Sequence, residues 1–134
     1  MAIRILIVDD ERSIADTLSV IFRHAGYETF TAYNGRQGLD AALELAPKLV
    51  LSDVVMPELD GVAMAIEIRK IMPEIPVVLF SGQTGVTDLL QSAKDKGFHF
   101  ELLEKPIHPA EIVRIVGVTL SNFARNHPDT QRHQ

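Results

Sequence analysis

The sequence predicts an α/β fold in which a parallel sheet is wrapped on both faces by helices, and two observations carry that expectation. Short apolar runs rich in β-branched residues alternate with longer stretches of helical period, five of each along the chain. Most of the short runs are apolar throughout, as strands buried on both faces must be. The 134 residues suit one domain, and 46% hydrophobic against 23% charged residues is the balance of a soluble chain able to bury a core.

The predicted strands cover residues 3–8, 27–32, 48–52, 75–80 and 98–103. The first helix places Ile14, Leu18, Ile21, Phe22 and Ala25 on one face and stops at Gly26, a residue suited to a left-handed cap. Asn34-Gly35 opens the second, with Leu39, Ala42 and Leu43 inward; Gly61 precedes the third, with Val62, Ile66 and Ile71 inward. The fourth, over 85–96, is the least apolar. The fifth starts at His108-Pro109, proline being favoured at a first helical position, and carries Ile112, Ile115, Val116, Leu120 and Phe123 at helical spacing. From Asn126 the periodic apolar residues cease, which divides the chain into a domain over 1–125 and a frayed polar tail over 126–134.

Composition narrows the function. The net charge is −5 and the 13 Lys and Arg residues are scattered, so no stripe is available to neutralise nucleic-acid phosphates. Without cysteine the chain has neither disulfides nor a thiolate zinc site. The apolar segment 1–8 is short and runs into Asp9, Asp10 and Glu11, unlike a signal peptide or membrane span, so a soluble cytoplasmic protein is expected. His24, His99, His108, His127 and His133 show no metal-ligand spacing, and the glycines at 82 and 85 lack the Lys-Ser signature of a nucleotide loop.

In an open parallel sheet, ligands bind outside the carboxyl ends of the strands. Those ends carry Asp9-Asp10, Asp53, Ser81 and Lys105. Right-handed crossovers set strands one and three side by side, bringing three carboxylates, a hydroxyl and an ammonium to one edge. Paired carboxylates repel by roughly 1–4 kcal/mol at 4 Å, depending on the effective dielectric, and a divalent cation would offset this. Hard oxygen donors with room for water suit Mg²⁺. A lysine and a hydroxyl can each hold a phosphoryl oxygen, and a carboxylate can be the nucleophile that becomes an aspartyl phosphate. Each residue alone has an ordinary reading. Asp9 and Asp10 could cap a helix, Asp53 could be a solvated strand end, Lys105 a turn cation and Ser81-Gly82 turn chemistry. Their coincidence at one edge favours the phosphoacceptor reading.

Four motifs in order, ILIVDD at 5–10, LSDVVMPELDG at 51–61, VVLFSG at 77–82 and Lys105-Pro106, resemble the receiver domain of bacterial two-component response regulators, of the single-domain chemotaxis type. The resemblance spans about residues 1–125 and implies a flavodoxin-like sheet of order 2-1-3-4-5 with five helices. It implies that Asp53 is phosphorylated, that Asp10 and Asp53 bind Mg²⁺ directly with the Val55 carbonyl, and that Asp9 acts through water. Ser81 and Lys105 would hold the phosphoryl group, and the Lys105-Pro106 peptide would be cis. Val55 and Gln83 would flank the attacking water and tune autohydrolysis.

The phosphodonor would be a sensor histidine kinase or phosphotransfer protein. The result would be a phosphorelay switch read by a downstream protein through the face of the fourth helix, fifth strand and fifth helix. Such a protein catalyses only its own phosphorylation and dephosphorylation, contacts neither nucleic acid nor membrane itself, and is a monomer or weak homodimer. The aromatic switch residue usual three places before the lysine is replaced by Leu102, with Phe100 as a possible substitute in a segment one residue longer than usual. Simple strand-face packing is the competing role for Phe98, Phe100 and Leu102. The alternative function is a phosphorylation-independent docking or dimerisation scaffold with the same fold. An aspartyl-phosphate hydrolase is disfavoured because Val55 stands where its second acid belongs.

Overall fold

A computed structural model describes residues 2–82 and 86–126, with side chains to residue 123. The elements follow as β1 (Arg4–Val8), α1 (Arg12–His24), β2 (Glu28–Ala32), α2 (Gly35–Leu45), β3 (Leu49–Asp53), α3 (Gly61–Ile71), β4 (Val77–Ser81), α4 (Val86–Asp95), β5 (Glu101–Glu104) and α5 (Pro109–Asn126). The sheet is parallel, in the order β2-β1-β3-β4-β5. This is the doubly wound topology expected from the sequence, and its order reverses beside β1 and β3.

Strand side chains alternate between two cores because successive residues point to opposite faces. Leu6, Val8, Val50 and Leu79 face the core completed by α2, α3 and α4. Ile5, Ile7, Leu49, Leu51, Val78 and Phe80 face the other, completed by α1 and α5. Most of these side chains are fully buried, each contributing roughly 1.5–3 kcal/mol, so the central strands are the rigid frame on which the loops at their ends are held.

Local signals explain the helix boundaries. Asn34 and Asp60 accept hydrogen bonds from the backbone N–H groups of Gln37 (2.8 Å) and Ala63 (2.8 Å), capping α2 and α3. Gly26 adopts φ +100° just after α1, where its lack of a Cβ is needed.

Four expectations are corrected. Ala25, expected on the buried face of the first helix, is exposed at its C-cap, where the chain turns away from the helical stripe. In α2 the buried stripe is Gly35, Gly38, Leu39 and Ala42, leaving Leu43 a step round the helix and 42% exposed. Ile71 closes α3 and is 58% exposed, while Met72 turns into the core instead. The fifth strand starts at Glu101, not residue 98, because the chain before it is still closing α4. There Gly97 has φ +92° and the Phe98 N–H bonds the Ala93 carbonyl at 2.9 Å. Residues 83–85 and 127–134 lie outside the described residues, so Gln83 and most of the expected tail are not placed; α5 itself reaches Asn126.

Candidate functional site

The loops after β1, β3, β4 and β5 meet at the carboxyl edge of the sheet. Asp9, Asp10 and Asp53 each place a carboxylate oxygen there, all within 4.8 Å of one another. Asp9 follows β1, with its N–H bonded to the Ala32 carbonyl at 3.1 Å. Its Oδ1 accepts from the Glu11 N–H at 2.9 Å, while its Oδ2 is buried with no hydrogen-bond partner among the described residues. Lys105 Nζ lies 3.9 Å from that oxygen, which is a charge contact but too long for a hydrogen bond. Asp10 is exposed at the rim.

Asp53 ends β3, and its carboxylate Oδ1 accepts from the Val54 N–H at 2.9 Å. Ser81, buried beside it at the end of β4, accepts at its carbonyl from the Lys105 N–H at 2.9 Å. The Lys105-Pro106 peptide is cis. The lysine stem passes the Phe80 ring, with Nζ 4.7 Å from its centroid. Val55 is 38% exposed in the loop after β3.

The electrostatics follow from this crowding. Burial raises the Asp9 pKa from 3.8 to about 6; the Glu11 N–H opposes the rise, Asp53 and Asp10 add to it, and Lys105 offsets part of it. Asp53 is raised for the same first reason, burial, against the lowering effects of Lys105 and the Val54 N–H. A buried orphan carboxylate oxygen beside two more carboxylates is costly unless a cation joins them. An all-oxygen donor set fits a hard divalent ion.

Sequence reasoning missed the support around this cluster. Gly61 donates to the Val54 carbonyl at 2.7 Å, and a Cβ on it would fall 2.1 Å from the Asp53 carbonyl oxygen. The start of α3 is therefore pressed onto the end of β3, which only glycine permits. Gly61→Ala is expected to cost at least about 1–3 kcal/mol by overpacking, read as a lowered denaturation midpoint. An unchanged midpoint would show that this junction yields freely. Phe80 and the Val54 N–H were likewise invisible as site residues, because strand-core and backbone groups carry no motif.

Comparison with known proteins gives this architecture its class. The response regulator receiver domain family matches residues 5–117, and the chain belongs to it. Over 120 residues the chain is 32% identical to the DNA-binding response regulator MtrA of Mycobacterium tuberculosis, covering 87% of this chain and 50% of that one. It is 37% identical over 94 residues to sporulation initiation phosphotransferase F of Bacillus subtilis, covering 70% and 75%. The receiver domain of NtrX from Brucella abortus superposes with a TM-score of 0.76 at 36% identity, covering 87% and 98%. The chain spans about half the length of the MtrA proteins it matches. Among the described residues, no helix is long and apolar enough to cross a membrane.

Proposed function

We propose that Asp53 accepts a phosphoryl group from a phosphohistidine of a sensor histidine kinase or phosphotransfer protein. The observation that carries this reading is the meeting of Asp9, Asp10 and Asp53 within 4.8 Å at the strand ends, with Lys105 beside them. The Val54 N–H holds Asp53 Oδ1, leaving Oδ2 to attack phosphorus. The new O–P bond forms as the P–N bond breaks, and the imidazole nitrogen keeps the electron pair. Lys105 opposes the burial-driven rise in the Asp53 pKa, helping to keep the nucleophile ionised, and would hold a phosphoryl oxygen. Ser81 would hold another and move toward it.

The donor set fits Mg²⁺, held by Asp10, Asp53 and the Val55 carbonyl, with Asp9 acting through an intervening water. When bound, the ion neutralises the negative charge gathered at the site. Beside Lys105 a cavity of about 480 Å³ opens between α1 and the start of α5, lined by Ile14, Leu18, Ile21, Phe80 and Ile107 among others. Its apolar wall suits a helix of the phosphodonor protein. In this reading the domain ends near residue 125 and is cytoplasmic. It is a monomer or weak homodimer, and its α4-β5-α5 face signals to a protein target rather than to nucleic acid directly.

Intact-mass analysis after incubation with Mg²⁺ and acetyl phosphate tests the proposal. One phosphoryl group should be gained by the wild-type protein and none by Asp53→Asn. No gain in wild type, with Mg²⁺ bound, would favour the docking or dimerisation scaffold. Val55 and Gln83, two residues past Asp53 and Ser81, should set the lifetime of the phosphorylated form. Exchanging both for polar or acidic residues is expected to change the autohydrolysis half-life several-fold, and an unchanged half-life would remove that role.

A further inference from the structure

The foot of β5 carries an arrangement that the phosphoryl chemistry does not use. Phe98 and Phe100 stack with ring centroids 6.5 Å apart and planes within 4° of parallel. Arg69, near the end of α3, sets its guanidinium carbon 4.8 Å from the Phe100 centroid. Both rings pack on the core shared by α2, α3 and α4, as does Leu102. The Arg69 Nε is buried with no hydrogen-bond partner among the described residues, and burial lowers the pKa of this guanidinium.

That contact balances opposing terms. A cation over an aromatic face is favourable, whereas a buried N–H without an acceptor is not. A contact near break-even can exchange between two arrangements at small cost. Its position gives the exchange a consequence, because β5 is a four-residue rod between the contact and the site. At its head Glu104 pairs with Ser81, and the Lys105 N–H bonds the Ser81 carbonyl at 2.9 Å. At its foot, Phe100 immediately precedes Glu101, and the Phe98 N–H is tied to the end of α4 at Ala93. β5 thus connects Ser81 and Lys105 at its head with the Arg69–Phe100 contact and the end of α4 at its foot.

We propose that the Arg69–Phe100 contact is a latch that holds β5 and α4 in the unphosphorylated arrangement and opens when the phosphoryl group draws on Ser81 and Lys105. This rests on the phosphoacceptor reading of the site. Linkage fixes the sign: a contact made only in the unphosphorylated state weakens binding of the phosphoryl group, so its loss must strengthen it.

The test is affinity for the phosphoryl mimic beryllofluoride in the presence of Mg²⁺, followed by amide chemical shifts. Arg69→Met keeps the aliphatic stem and removes the cation, and Phe100→Leu removes the ring. Each is expected to bind beryllofluoride about fivefold or more tightly, and metal-loaded protein without the mimic should already show part of the β5 and α4 shift changes. Folded variants that bind with wild-type affinity overturn the latch, even if their melting temperatures fall. Absence of beryllofluoride binding by the wild-type protein overturns the phosphoacceptor reading itself, and the latch with it.

Discussion

In metal-free buffer the protein should lose stability as the pH rises toward and past 6, the approximate value to which burial lifts Asp9 from 3.8. Between those values an unfolded chain ionises Asp9 while the folded chain still holds its proton. The folded state then binds more protons, so stability falls with rising pH. Below about 4 the protonated group costs nothing; above about 6 the full penalty stands, roughly 3 kcal/mol for a shift of this size. Asp53 is raised for the same reason and adds to the trend.

Asp9→Asn keeps an oxygen to accept the Glu11 N–H but removes the charge. At pH 7 without metal it should therefore melt about 10 °C higher than wild type, with the gap closing near pH 4. Saturating Mg²⁺ should stabilise wild type most at neutral pH and narrow the gap from the other side. Melting curves at both pH values, with and without Mg²⁺, decide the point. A mutant less stable than wild type at pH 7 without metal would mean that the buried carboxylate is compensated inside the fold.

Replacing Lys105 by methionine should slow phosphorylation by acetyl phosphate on the order of a hundredfold at saturating Mg²⁺, the usual scale for removing one preorganised charge from a transition state. Methionine retains a stem that can lie along Phe80, where Nζ now sits 4.7 Å from the ring centroid, so the fold should survive. The same change removes the cation that offsets both Asp9 and Asp53, so their pKa values should rise further. Single-turnover kinetics separate this chemistry from binding. A rate within twofold of wild type would place Lys105 outside the transferring group's reach.

The strands β1, β3 and β4 were legible because burial on both faces demands unbroken apolar runs, and the residues that follow them are the polar ones the topology brings together. The start of the fifth strand was not, since Phe98, Phe100 and Leu102 alternate as a strand would while the first two rings stack beside the end of α4. Periodicity reports which side a residue faces, not whether its backbone has found a ladder partner. Leu43 and Ile71 were misplaced because helical spacing does not fix the centre of the buried stripe; in α2 that centre is set by Gly38, on which a Cβ would fall 2.7 Å from Met64 Sδ. The contact of Gly61 with Asp53 across the loop after β3, and that of Arg69 with Phe100 between separate elements, arise through shape alone, and no local pattern announces them.

The most direct test of the central claim is to locate the phosphoryl group. Borohydride reduction of the acyl phosphate formed with Mg²⁺ and acetyl phosphate, followed by peptide mass mapping, should convert Asp53 alone to homoserine. Conversion at Asp9 or Asp10, or at no aspartate in a protein that has gained a phosphoryl group, would contradict it.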